Sequence, residues 1–110
     1  MNPRFWIATY CRGSFRAAAR DPRAPIEVLR FIAGEQDEFL DEQLALRHDL
    51  PPDVIRQLAT RPTSWVVRAR LCDNPATPED VLRMLLTTSK YGSTTRRKAK
   101  CALLARGLRL

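Results

Sequence analysis

The residues best suited to nucleophilic catalysis are the single histidine of the chain, His48, and the aspartate that follows it, Asp49. A histidine held by a carboxylate supplies the base and the orienting group of a catalytic triad. The triad also needs a nucleophile, and the sequence places no serine or cysteine where it would serve that role. We therefore interpret His48 as a structural or solvated loop residue and predict no catalytic residues.

Acidic residues are the first candidates for binding a metal ion. Asp37 and Asp41 are four residues apart, as are Glu38 and Glu42, and on a helix this spacing puts each pair on one face. Carboxylate pairs of this kind usually bind metals together with histidines, and the sequence offers none beside them. A solvated acidic face is the preferred interpretation of all four residues.

The three cysteines and four glycines argue against two further kinds of site. Cys11, Cys72 and Cys101 are far apart, whereas zinc and iron–sulfur ligands usually come in pairs within about four residues of each other. The glycines are isolated, so there is no glycine-rich phosphate loop. We predict reduced thiols packed as small hydrophobic side chains, no metal, no cofactor and no enzymatic activity.

The composition is that of one folded domain of 110 residues. Hydrophobic residues make up 45% of the chain, but no apolar run approaches the ~18 residues of a membrane span. The first residues have no long apolar region, so we expect no signal peptide and a cytoplasmic protein that does not bind membranes. The net charge of +7 would attract nucleic acid or an acidic protein.

An internal repeat determines the predicted fold. Three proline-led segments, 25–33, 51–59 and 78–86, align without gaps at offsets of 26 and 27 residues. Proline suits the first turn of a helix, and the acid that follows it meets the positive end of the helix dipole. The pattern therefore predicts three helices with one apolar stripe. The stripe residues are Val28, Leu29, Ile32, Val54, Ile55, Leu58, Val81, Leu82 and Leu85.

Charged residues recur within the same three segments. An acid and an arginine three residues apart predict a solvated ion pair on each helix. The predicted pairs are Glu27 with Arg30, Asp53 with Arg56, and Asp80 with Arg83. Thr77 precedes the third segment and predicts an N-cap, with Asp80 as the acid of a capping box.

A second predicted helix precedes each proline-led helix and ends at an Asp, Asn or Pro that stops it. These helices are 15–20, 38–47, 65–72 and, in a truncated fourth repeat, 96–106. Residues 5–11 predict an N-terminal cap in which Trp6 and Tyr10 cover the first repeat. The stretch 87–95 is rich in Ser, Thr and Gly and predicts either an ordered loop or a hinge.

The helix pairs predict an all-α fold, a short right-handed α-solenoid of about three repeats of the armadillo/HEAT type. Each pair has too little apolar surface to fold alone and must stack on its neighbours. The chain would then be one helical-repeat domain, 1–110. Its predicted parts are an N-terminal cap 1–13, repeats 14–36, 37–62 and 63–93, and a C-terminal capping helix 94–110.

The turns resemble those of a known family. Residues 21–25 read Asp-Pro-x-x-Pro and residues 73–78 read Asp-Asn-Pro-x-x-Pro, each with Val-Leu-Arg soon after. These blocks resemble the leucine-rich repeat variant, an armadillo/HEAT-like helical repeat of bacteria. The resemblance covers 15–86, although the period is a few residues longer and residues 48–50 read His-Asp-Leu at the middle turn. It implies a helical-repeat fold and no common enzymatic activity.

Basic residues concentrate on the helices that precede the proline-led ones. We interpret one set as a patch that could bind successive phosphates of a nucleic-acid backbone, with Trp65 nearby to stack on a base. The set is Trp65, Arg68, Arg70, Arg96, Arg97, Lys98 and Lys100. The alternatives are solvated basic faces and, for Trp65, which follows a helix-start signature at 62–64, a core position. An acidic band from Glu35 to Glu42 disfavours a continuous duplex site.

Two functions are consistent with this surface. We expect a non-enzymatic interaction module that binds a protein or peptide partner in a shallow groove between stacked helices. The alternative is a nucleic-acid-binding accessory protein that uses the basic helix faces, and salt-dependent binding would distinguish it from the first.

Overall fold

The computed structural model describes residues 1–61, 65–90 and 93–110. Every regular element in these residues is an α-helix, which confirms the all-α prediction. The helices are α1 (Pro3–Cys11), α2 (Phe15–Arg20), α3 (Ile26–Ala33), α4 (Glu38–Leu44), α5 (Pro52–Thr60), α6 (Trp65–Asp73), α7 (Glu79–Thr88) and α8 (Thr94–Ala105). Two stretches lie outside the described residues, 62–64 and 91–92. The first contains the predicted helix-start signature and the predicted boundary between the second and third repeats. No described helix is both long and apolar enough to cross a membrane.

The helices form two layers. We call α2, α4, α6 and α8 the first layer, because each contacts the next in chain order. The second layer is α3, α5 and α7, which contact one another in the same way, and α1 packs against α2 and α3 at one end. The molecule measures 45 × 24 × 16 Å with a radius of gyration of 14.5 Å. An average compact domain of this length has a radius of gyration of roughly 13 Å, so the molecule is elongated.

The core lies between the two layers and is built from the predicted apolar stripes. All nine stripe residues are at most 1% exposed. The first layer contributes buried apolar side chains at equivalent places in and directly after its helices, namely Ala18, Ala19, Leu44, Ala45, Leu71 and Cys72. Burying one aliphatic side chain is worth about 1.5–3 kcal/mol, so packing between the layers is the main source of stability.

The ion pairs of the second layer join neighbouring helices, and the prediction of pairs three residues apart within one helix is wrong. Arg30 of α3 binds Asp53 of α5 at 3.0 Å, and Arg56 of α5 binds Asp80 of α7 at 2.9 Å. Neighbouring second-layer helices lie close enough for a guanidinium to reach the first turn of the next helix. Only Arg83 pairs along its own helix, with the acid four residues before it.

Three local predictions need correction. Thr77 is not the N-cap of α7, because Pro78 holds that place and the buried Thr77 hydroxyl donates to the Leu71 carbonyl at 2.6 Å. The connection predicted for 87–95 is shorter than expected, since α7 runs to Thr88 and α8 begins at Thr94. In α1 the buried residues are Ile7 and Cys11. Trp6 only partly joins the core, and Tyr10 is 54% exposed, with its ring centroid 5.0 Å from that of Trp6.

Polar side chains tie each turn between helices to the preceding turn. Asn74 donates through Nδ2 to the carbonyls of Ala45 at 3.0 Å and Arg47 at 2.7 Å. One turn earlier, Arg47 donates through Nη1 to the carbonyls of Ala19 at 3.0 Å and Asp21 at 2.7 Å. Asp21, Arg47 and Asn74 each lie four residues before the proline that leads the next helix. Successive turns are therefore joined in the same register, because each link uses the carbonyls at the same two positions of the preceding turn.

A buried ion pair holds α4 against the chain that follows α5. Arg61 binds Asp41 at 2.8 Å, and their side chains are only 13% and 2% exposed. The same guanidinium donates to the Ala33 carbonyl at the end of α3. Burial raises the pKa of Asp41, and Arg61 opposes part of the rise. The prediction of a solvated acidic face is therefore wrong for Asp41, because this residue lies on the side of α4 that faces the core.

Candidate functional site

The structure divides the predicted basic patch among several environments. Arg70 donates to the Glu42 carbonyl at 2.7 Å, and Arg96 donates to the Leu86 carbonyl at 2.9 Å. Lys98 forms an ion pair with Asp73 at 2.7 Å. The guanidinium groups of Arg70 and Arg96 support main-chain carbonyls, and the ammonium group of Lys98 neutralises a neighbouring acid. Part of the positive charge of the chain thus serves the packing of helices.

Trp65 and Arg68 remain together and line one cavity. The cavity has a volume of about 320 Å³ and lies where α6 meets the end of α7 and the start of α8. Its described lining consists of Trp65, Arg68, Thr88, Ser89, Lys90, Ser93 and Thr95. Trp65 is 61% exposed, so the alternative of a core position is wrong for it. We call this cavity the α7–α8 junction.

The described lining of the α7–α8 junction contains two cations, four hydroxyl groups and no acid. Sequence reasoning missed Lys90 and the hydroxyl residues, because the stretch that holds them resembles a linker. The signal that could have found them is the absence of any acid after Asp80, combined with Ser93 as the N-cap of α8.

The outward cations of α8 lie beside a second groove. Arg97 and Lys98 line a groove of about 490 Å³ between α6 and α8, together with Cys72, Asp73 and Cys101. Lys100 is exposed, and no hydrogen bond or ion pair involves its side chain or that of Arg97 among the described residues. These two cations are therefore the members of the predicted patch on α8 that are available to an anionic partner.

An apolar groove lies at the other end of the first layer, between α2 and α4. It has a volume of about 510 Å³ and is lined by Phe15, Arg16, Glu35, Asp37, Phe39 and Leu40. Phe39 is 75% exposed. Phe15 also packs on Phe31 with 5.7 Å between ring centroids. The sequence did not predict this groove, because Phe39 lies within the acidic band and the surrounding charges give no signal of an apolar site.

An arginine engages the aspartate of the His48–Asp49 pair, for which the sequence predicts no catalytic role. Arg47 binds the Asp49 carboxylate at 2.7 Å and lowers the pKa of Asp49 through this hydrogen bond. The adjacent His48 is exposed. Among the described residues, no three His, Cys, Asp or Glu side chains are grouped as a metal site.

The cysteines differ in their environments. Cys11 and Cys72 are buried and free of disulfides, and burial raises the pKa of Cys72 to about 12. A thiol with so high a pKa is a poor nucleophile at neutral pH. The prediction that all three thiols pack inside is wrong for Cys101, which is exposed and lines the groove between α6 and α8.

Comparison with protein-family models finds no match, and neither do the comparisons with curated proteins and with solved structures.

Proposed function

We propose that this chain is a short right-handed α-solenoid of about three helix-pair repeats, of the kind found in the leucine-rich repeat variant. Three observations support this arrangement. Each layer is contacted in chain order, the molecule is 45 Å long, and Arg47 and Asn74 repeat the same link between successive turns. Stacked helix pairs present extended surfaces for binding, so this architecture suits an interaction protein.

We propose further that the protein is a non-enzymatic interaction module that binds a protein or peptide segment on its first layer. The observation that carries this proposal is the groove between α2 and α4, where Phe39 is 75% exposed beside Phe15 and Leu40. Aromatic side chains that border a hollow are typical anchors of binding surfaces. The second layer is the poorer candidate, because its ion pairs already neutralise its charges.

Charges at the rim of the groove indicate the kind of segment that would fit. Arg16 stands on one side, and Glu35 and Asp37 stand on the other. Asp37 also caps α4 by accepting the Leu40 N–H at 3.1 Å. A segment with an apolar side chain that enters the groove and a basic residue next to it would contact both the aromatic lining and the acidic rim.

The buried free thiols of Cys11 and Cys72 agree with a cytoplasmic setting.

Selection from a random peptide library tests this function. We expect the wild-type protein to enrich peptides with an aromatic or aliphatic anchor. Phe39→Ser should weaken their binding at least tenfold, about 1.4 kcal/mol, because the exposed ring supplies much of the apolar contact. Ile26→Ser is the matched control, since Ile26 is an exposed apolar residue, 46% accessible, on the second layer. Failure to enrich any peptide that discriminates between these two variants would refute the proposal.

A second candidate function is binding of single-stranded nucleic acid. The observation that favours it is the α7–α8 junction, where exposed Trp65 shares a cavity with Arg68 and Lys90. Aromatic rings and cations together bind single strands by stacking and by phosphate contacts. Salt weakens such binding but leaves apolar peptide binding nearly unchanged.

A further inference from the structure

One face of α8 is exposed and carries an apolar side chain beside two cations. Arg97, Lys100 and Leu104 are all exposed, and their spacing of three and four residues puts them on the same side of the helix. Leu104 is 53% exposed. The helix packs on α6 and α7, and its buried residues Ala99 and Leu103 lie on the opposite side. The exposed face therefore takes no part in the core.

The two cations on this face are not used by their own chain. Among the described residues, no hydrogen bond or ion pair involves the side chain of Arg97 or Lys100. By contrast, Lys98 on the same helix binds Asp73 at 2.7 Å. Residues 94–105 contain no acid, so nothing on α8 itself neutralises the exposed face.

The groove between α2 and α4 has the opposite charge. Glu35 and Asp37 line it, and the next residue, Glu38, is exposed as they are. In the described part of the chain, neither Glu35 nor Glu38 forms a hydrogen bond or an ion pair. The lining holds one cation, Arg16, so the acids here outnumber cations by two. This excess matches the two cations beside Leu104, and such complementarity orients two surfaces that meet.

The two surfaces cannot meet within one molecule. The helices α2, α4, α6 and α8 contact one another in chain order, so the groove and α8 are at opposite ends of the first layer. The molecule is 45 Å long. An α8 that reaches the groove must therefore come from another molecule.

We propose that the groove between α2 and α4 binds α8 of a second copy of this chain. Leu104 of one copy enters the groove beside Phe39 of the other, which is 75% exposed. Arg97 and Lys100 then face the acids at the rim. This inference rests on the proposed function, because it names the occupant of the same groove.

Such a contact joins copies head to tail. Two different surfaces meet, so each bound copy keeps one free groove or one free α8 for a further copy. The net charge of +7 opposes association at long range. At physiological ionic strength, however, exposed charges more than about 8 Å apart are largely screened. The opposite charges that lie in contact therefore decide whether copies associate.

Analytical ultracentrifugation at physiological ionic strength measures this association. We expect the weight-average mass of the wild-type protein to rise with concentration above the 12.6 kDa of one chain. Leu104→Asp and Phe39→Asp should each weaken self-association at least about tenfold, because each puts a carboxylate into an apolar contact beside acids. Ile26→Asp is the matched control; Ile26 is an exposed apolar residue of the second layer, and its replacement should leave association unchanged. Circular dichroism checks that each variant keeps its helical content.

A mixture of the two disabled variants identifies the surfaces that meet. The Leu104→Asp protein keeps its groove, and the Phe39→Asp protein keeps its α8. Together they should form dimers of about twice the 12.6 kDa chain mass that do not grow further, because the two remaining surfaces both carry the new carboxylate. An interface between identical surfaces would not be restored by mixing.

Charge reversal tests the electrostatic match separately. Arg97→Glu with Lys100→Glu should weaken self-association at least about tenfold, because like charges then face each other. Adding Glu35→Lys and Glu38→Lys to the same chain returns the net charge to its original value and should restore association. Failure of the fourfold variant to associate while the wild-type protein does would contradict the charge match.

The remaining outcomes separate this inference from the proposed function. A wild-type protein that stays monomeric but enriches peptides through Phe39 would overturn the second copy as the occupant and leave the groove as a peptide site. Self-association that survives both Leu104→Asp and Phe39→Asp would place the contact elsewhere and overturn the inference. Absence of both self-association and peptide enrichment would overturn the inference and the proposed function together.

Discussion

Replacement of Asp41 by alanine is expected to destabilise the protein by about 3–5 kcal/mol, because Arg61 would then keep a buried charge without a partner. The two side chains are 2% and 13% exposed and their charged atoms are 2.8 Å apart, so water cannot easily replace the lost carboxylate. A domain of this size is stable by only about 5–15 kcal/mol. The loss would therefore consume a large share of the total free energy of unfolding, and urea denaturation would measure it.

Two further variants identify the cause of that loss. Arg61→Met in the Asp41→Ala background removes the unpaired charge, so the double variant should be more stable than Asp41→Ala alone. Glu38→Ala is the control on the same helix; Glu38 is exposed, and its removal should change stability by less than about 0.5 kcal/mol. A loss below about 1 kcal/mol for Asp41→Ala would show that the pair is solvated.

Replacement of Asn74 by alanine is expected to cost about 2–4 kcal/mol, since three hydrogen bonds are lost and their partners are left with few alternatives. Asn74 is 3% exposed. Its Nδ2 donates to the Ala45 and Arg47 carbonyls, and its Oδ1 accepts the Ala76 N–H at 2.9 Å. The midpoint of thermal unfolding should fall by about 8–16 °C in a domain of this length.

Asn74→Asp provides a sharper comparison at the same position. The carboxylate keeps the acceptor for the Ala76 N–H, but it replaces a donor by a negative charge beside two carbonyl oxygens. Asn74→Asp should therefore be no more stable than Asn74→Ala at neutral pH. Gln57→Ala, on the exposed side of α5, is the control and should leave the midpoint within about 2 °C of wild type. Equal stability of Asn74→Ala and wild type would contradict the proposed role of this link.

The helices and their buried faces follow from the sequence, because proline-led starts and apolar spacing act over a few residues. Thus Val28, Leu29 and Ile32 are buried as their spacing predicts. The partners of charged groups depend on neighbouring helices, and no local pattern reports them. Arg30 binds Asp53 of the next helix for this reason.

The arginines show the same limit most clearly. Arg47 and Arg106 donate to carbonyls of earlier turns, Arg47 to Ala19 and Arg106 to Thr77 at 2.6 Å. No sequence motif identifies an arginine that donates to a carbonyl of another turn, so the sequence alone predicts these arginines to be ordinary surface charges. Trp65 and Arg68 belong to the basic set predicted from the sequence, and the structure places both in one cavity. Ser89 carries no comparable sequence signal, and its unpartnered hydroxyl is visible only in the structure.

Duplication of one repeat tests the proposed solenoid most directly. A second copy of residues 51–77, a unit of 27 residues that spans α5, α6 and the turn to α7, would be inserted after Thr77. Each new helix would meet the same kind of neighbour that its original meets. We expect helical content per residue to stay constant and the maximum dimension from small-angle X-ray scattering to grow by about 8–10 Å, one helix spacing. A chain that unfolds, or that folds without lengthening, would contradict the stacked arrangement.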